Sequence, residues 1–481
     1  MTTEEHLVRL RGGQQMTLSE KLNLVARLSF PSMMAQISTI IMEYIDSGMV
    51  GHLGKDATAS IGLVMTSLWL VGGLCTSFIS GFTIQTALAI GGKDNRKARS
   101  LTFQSFFLVM VIAFLICGVG ALLHNRIPVW LGGRPSLQED AGGYFLIFCL
   151  FMPVMCLRQL CNSQLTASGN MKIPGILNTL VCFLDVIFNY FCIYSGGDVH
   201  IFGTFLHLPG LGLGVRGAAL GSGLSEVAVA GFSLYFLMRK GSVLRLRKEE
   251  HYRLIYKDII RAVKISLPMM FERLVMNAAQ VVYTMIISPL GNVALAANSF
   301  AITTESLCYM PGYGVADAAA TLVGQSIGAG RKKTAVSFGR ITLAYGMLLQ
   351  GGLGILMFAI SPWMIGILSP DQNVIDQAVA VLRIEALIEA FYGAQIVGSG
   401  IFRGAEDTFV PSLMNFFSVW VVRIPLALLF TRVMHLGLMG VWIAMATELF
   451  FRGSIFILRF LTGRWMKRHE KWDRQDESAQ I

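Results

Sequence analysis

Residues 42–54, MEYIDSGMVGHLG, close an apolar run that begins near Leu22. Glu43 and Asp46 stand three residues apart there, on one face if the run is helical. Runs of about 20 apolar residues match a hydrocarbon core about 30 Å thick. A carboxylate inside one costs about 2.5–3.5 kcal/mol unless it is protonated, paired or wet. The two acids therefore mark either a structural ion pair or a place where a proton is taken up and given back.

Runs of the same kind fill the chain. Of 481 residues, 54% are hydrophobic and 14% charged, too little charge to cover a soluble protein of that length. Twelve spans are expected, at about 23–50, 57–91, 101–123, 141–167, 173–195, 212–238, 258–289, 294–328, 335–361, 374–402, 411–433 and 437–462. The fold class is thus an all-α integral membrane protein of twelve transmembrane helices, with the lipid bilayer as its surroundings. The N-terminal segment 1–22, the link 239–257 and the tail 463–481 flank the two blocks 23–238 and 258–462.

The net charge of +10 raises the possibility of nucleic acid. Its distribution argues against that partner. Lys93, Arg96, Lys97 and Arg99, then Arg245, Arg247 and Lys248, then Arg331, Lys332 and Lys333, and finally Arg464, Lys467 and Arg468 sit between or after the apolar blocks. The opposite connectors are poor in cations: 196–211 and 289–294 hold no Lys or Arg, and Lys55, Arg126, Arg134 and Arg432 are the exceptions. This asymmetry places both termini in the cytoplasm. No GxxxxGK[ST] loop occurs, which argues against ATP hydrolysis as the power source. The eight cysteines lack metal-ligand spacing, and no histidine sits deep in a span. No catalytic constellation, metal site or cofactor is expected.

The chain also repeats. Pro31 and Pro268 are 237 residues apart, and the same offset relates Gly54 to Gly291, Ile90-Gly91 to Ile327-Gly328, Pro174 to Pro411 and Asn178 to Asn415. Further on, GVRGAAL from Gly214 resembles GLMGVWI from Gly437 at an offset of 223, so the first half carries 14 extra residues near SGGDVHIFGTFLHLPG. Six spans per repeat is an even number, so both lobes insert the same way up and a path between them is the expected transport route.

These residues resemble the multidrug and toxic compound extrusion (MATE) family. The carriers are YIDSGMVGHLG in the first span, GVADAAATLVGQSIGAGRKK ending the eighth, IFRGAEDTFVP after the tenth and DVIFNYFCIYSGG in the fifth. The resemblance implies two pseudo-symmetric six-helix lobes and a monomeric exporter in a bacterial inner membrane. It implies alternating access and small organic, often cationic substrates driven out by proton or sodium re-entry; the imperfect match to the sodium-using members makes protons the expected ion. A lipid or lipid-linked oligosaccharide flippase of related fold is the alternative, and a membrane-embedded enzyme the remote one.

Asp46, Asp185 and Asn189 are the expected ion-coupling residues. Asp185 and Asn189 share a helix face at i, i+4, and all three fall in the outer half of the first lobe. Glu43, one turn below Asp46, is a candidate dyad partner. Pro31 lies inside the first helix, where a proline kinks the chain and could relay protonation as bending. In the second lobe Glu272, Glu305, Asp317, Glu385 and Glu389 are candidate substrate contacts or a second ion site. Tyr392 stands where the resemblance implies an acid in sodium-using members.

Overall fold

The computed structural model describes residues 3–12, 14–201 and 204–466, so Lys467 and Arg468 of the expected cationic tail lie outside the described residues. After α1 (Thr3–Gly12), the first six spans are α2 (Leu18–Gly51), α3 (Lys55–Gly91), α4 (Asn95–Leu123), α6 (Pro135–Ala167), α7 (Lys172–Ile193) and α8 (Gly214–Met238). A one-turn helix, α5 (Ile127–Trp130), bridges α4 and α6. The second six are α9 (Tyr256–Ile287), α10 (Asn292–Gly328), α11 (Lys332–Leu368), the pair α12 (Gln372–Ala386) and α13 (Glu389–Gly404), a segment built on α14 (Phe409–Phe417) and α15 (Ile424–Leu428), and α16 (Gly437–Leu461).

Local chemistry sets the helix ends. Pro135 opens α6, where its missing N–H would have no partner anyway. Asp371 caps α12 by accepting from the Asn373 N–H at 2.9 Å. The repeat is visible in the backbone. Gly54 and Gly291 turn between spans at φ +113° and +101°, and Gly214 and Gly437 open α8 and α16 at φ +55° and +57°. Only glycine takes these conformations without strain, which is why these letters recur at fixed offsets.

Among the described residues nine helices are long and apolar enough to cross a membrane. The three spans outside that set are α9, α10 and the α12–α13 pair. They hold Glu272, Glu305, Asp317, Glu385 and Glu389. Buried acid is not confined to them, because Asp185 in α7 and Glu448 in α16 are buried as well.

Two spans depart from the regular helices that their pattern predicts. The tenth is broken. At Leu387 and Ile388 the N–H groups bond carbonyls three residues back, Ile384 and Glu385, at 3.3 and 2.9 Å. That turn is tighter than an α-helix, so the i, i+4 relation between Glu385 and Glu389 does not carry across it. The eleventh contains two π-helical stretches, Ser418–Arg423 and Leu429–Val433, on either side of α15. Pro425 sits in the first turn of α15 and cannot donate a helical hydrogen bond. The insertion of the first half falls where an antiparallel hairpin pairs β1 (Ser195–Ile201) with β2 (Thr204–Leu211).

The chain divides into two compact units, each described by itself. The first comprises Met1–Gln36, Ala87–Asp94 and Arg261–Ile481. Its core packs Tyr283, Ala297, Leu382 and Trp442, with the Trp442 indole N–H donating to Asn298 Oδ1 at 3.0 Å. The second comprises Ile37–Thr86 and Asn95–Ile260, with Val64, Leu68, Phe145 and Ala219 at its centre.

Candidate functional site

In the second unit the structure brings Asp46, Asp185 and Asn189 together. The Asn189 amide donates one hydrogen bond to Asp46 Oδ1 and another to Asp185 Oδ2, both at 2.9 Å. Asp185 and Asn189 are each 1% exposed. Ser225 on α8 donates to the other Asp185 oxygen at 3.5 Å. The Tyr194 hydroxyl ties the end of α7 to the Met49 carbonyl at 2.9 Å, which holds α2 beside α7 at the depth of Asp46.

The cluster depends on a missing side chain. A Cβ on Gly221 would fall 2.2 Å from Asn189 Oδ1 and 2.7 Å from the Asn189 backbone nitrogen. Gly217, one turn earlier, meets the Cys192 carbonyl in the same way, at 2.2 Å. Gly217, Gly221 and Ser225 recur every four residues, so α8 lays one small-residue ridge against α7. Neither Gly221 nor Ser225 is singled out by the repeat or by charge. The four-residue spacing was the available signal.

Among the described residues no cation is bonded to these acids. The nearby Arg158 is committed to Glu226, with Nη2 to Oε1 at 2.8 Å, and its Nη1 donates to Asn178 Oδ1 at 2.6 Å. Asn189 uses both amide hydrogens on the two carboxylates, while its Oδ1 is buried without a partner. An amide is neutral. Two neighbouring carboxylates resist double ionisation, so protons or a bound cation must set the charge of the cluster. Glu43, by contrast, is exposed and forms no hydrogen bond among the described residues. Pro31 is half-buried inside an unbroken α2.

The first unit buries a second set of acids. Glu385 and Glu389 flank the break in the tenth span, both 0% exposed, and none of their four carboxylate oxygens has a hydrogen-bond partner among the described residues. Glu305 on α10 is 5% exposed. Tyr392 packs its ring 5.3 Å from Tyr309 and lies under the Arg452 guanidinium at 5.9 Å. Arg423 and Arg452 are both engaged with Glu448, at 2.8 and 3.0 Å. The π-helical turn places Ser418 and Arg423 on that same carboxylate.

The remaining two candidates stand apart. Glu272 accepts from Ser412 at 2.6 Å and Asn415 at 2.7 Å, tying α9 to α14. Asp317 receives Ser32 at 3.5 Å and lies 3.9 Å from Arg403.

Twelve spanning segments, with acids buried beside no bonded cation in each half, define a multi-pass membrane transporter. The chain belongs to the MatE family, whose model matches residues 31–191 and 268–429, one block in each half of the repeat. It is 27% identical over 449 residues to "Probable multidrug resistance protein NorM" of Thermotoga maritima, covering 92% of each chain. It is 23% identical to "Multidrug and toxin extrusion protein 1" of Danio rerio, over 92% of this chain and 72% of that one. A crystal structure of MATE in the straight conformation matches with a TM-score of 0.87 at 18% identity, over 97% of this chain and 99% of that one. The shared fold is the MATE arrangement of twelve helices in two lobes, and the protein is a transporter rather than an enzyme.

Proposed function

We propose that this protein is a multidrug exporter of a bacterial inner membrane, working as a monomer with both termini in the cytoplasm. It expels small organic, mostly cationic compounds by alternating access in exchange for protons. The observation that carries the reading is the Asp46–Asn189–Asp185 cluster, two carboxylates that share one neutral donor. Such a cluster changes charge by protonation, and a proton gradient does work only if the proton binds the two facing states differently.

Protons fit better than sodium. The Asn189 NH₂ points at both carboxylates, a donor where a sodium ion needs acceptors. The acids Glu305, Glu385 and Glu389 supply a second buried negative region, suited to an organic cation or a further proton. A flippase for anionic lipid-linked sugars would need free cations beside the buried acids, and there Arg158 and Arg423 are spent on Glu226 and Glu448.

The test is efflux of an ethidium-like cation from proteoliposomes with proton and sodium gradients imposed separately. Efflux driven by the proton gradient alone is expected. Efflux driven only by sodium, or by neither, overturns the reading.

A further inference from the structure

Where α8 ends, the chain builds a pocket of about 500 Å³ lined by Tyr235, Met238, Arg239, Lys240 and Arg245. Arg239 leaves the helix in an extended conformation and Gly241 reverses the chain at φ +106°. The Arg245 N–H then closes a turn on the Ser242 carbonyl at 3.3 Å, and three cations gather at one helix end. No carboxylate lines the pocket. Among the described residues, none of the three cationic side chains forms a hydrogen bond or ion pair. Arg99, in the same unit, is by contrast held by Glu250 at 2.9 Å.

An exposed apolar stripe leads to it. Leu224, Val227 and Tyr235 are 38%, 44% and 62% exposed and recur at helical spacing on the outer face of α8. Gly231 lies in the same stripe, with nothing within 4 Å of where its Cβ would stand, so the stripe is open there. Apolar surface thus runs along the helix into an uncompensated cationic pocket carrying a tyrosine hydroxyl.

We propose that this is a binding site for an anionic phospholipid, with the headgroup phosphate held by Arg239, Lys240 and Arg245 and an acyl chain along the Leu224–Tyr235 stripe. General attraction of basic connectors to an anionic leaflet would need no pocket. Here the cations converge, and the apolar half of the ligand has its own track. The site is distinct from the buried acids, so its failure and that of the transport reading are separable.

The full chain in detergent, titrated with short-chain phosphatidylglycerol and read by native mass spectrometry, tests this. Phosphatidylglycerol is expected to be retained over phosphatidylcholine. The R239Q/K240Q/R245Q variant should bind it on the order of a hundredfold more weakly, roughly fivefold per cation. The charge-matched K93Q/R96Q/K333Q variant should bind as the parent does. Should the first triple variant fail to fold, K240Q alone carries the fivefold test. Equal retention of phosphatidylcholine, equal weakening in both triple variants, or full competition by inorganic phosphate at the lipid's own concentration overturns the proposal.

Discussion

Gly91 and Gly328 stand one repeat apart and each presses on the other's helix. A Cβ on Gly91 would fall 2.2 Å from the Gln325 carbonyl oxygen, and one on Gly328 would fall 2.0 Å from the Leu88 carbonyl oxygen. Leu88 and Gln325 are themselves 237 residues apart. The contact is therefore its own image under the repeat. The ends of α3 and α10 meet backbone to backbone inside the first compact unit, and a helix crossing that close admits only glycine.

Gly91→Ala and Gly328→Ala should each cost about 1–3 kcal/mol by overpacking, because the obstructing atoms are backbone and cannot swing away. Gly72→Ala, in the same helix as Gly91 with nothing within 4 Å, should instead gain about 0.5–1 kcal/mol. Thermal unfolding in detergent measures both. Equal effects at positions 72 and 91 would sink the crossing.

Gly221→Ala should displace Asn189 and reduce proton-driven efflux along with stability. Asn189→Ala keeps the helix packing and removes the donor shared by Asp46 and Asp185. It should cost about 1–3 kcal/mol and impair efflux more than it impairs substrate binding. Equilibrium binding of a fluorescent cation beside proteoliposome efflux separates the two losses, and parental efflux in Asn189→Ala would contradict the cluster's role.

Glu448→Leu strands Arg423 and Arg452 without their shared carboxylate. Breaking a buried ion pair costs about 3–5 kcal/mol, so this variant should unfold at much lower temperature. Arg423→Met leaves Glu448 its contact with Arg452 and should be the milder change. The reverse order would refute the ion-pair assignment.

Glu250 lies in the link after α8, where hydrogen bonds from Arg99 hold its carboxyl below the usual carboxylate range. A depressed folded-state value stabilises the attached link above the ordinary carboxylate pKa and loses that stabilisation as pH falls through the depressed value. Limited proteolysis with an acid-tolerant protease should therefore find the link protected at neutral pH and released only on strong acidification. Glu250→Gln should be cleaved readily at neutral pH. A link cut equally in both proteins at neutral pH would contradict this.

The sequence carried the span count, the repeat and the acids, because each is written in composition or in a fixed offset. Asp46, Asp185 and Asn189 could be grouped from helical spacing and depth alone. The break at Leu387–Ile388 could not, since no glycine or proline stands there to announce it. The π-helical turns are equally silent, although they decide that Arg423 reaches Glu448. The repeat identified Gly91 and Gly328 as equivalents, but equivalence does not say that two positions touch. That requires the packed backbones.

The most direct measurement of the central claim is proton release on cargo binding. An ethidium-like cation added to the purified protein in weakly buffered detergent at neutral pH should release roughly one proton per cation bound, and the D46N/D185N variant should release none while the cation still binds. Binding with no proton released by the parent protein, or the same release from the double variant, would contradict the account.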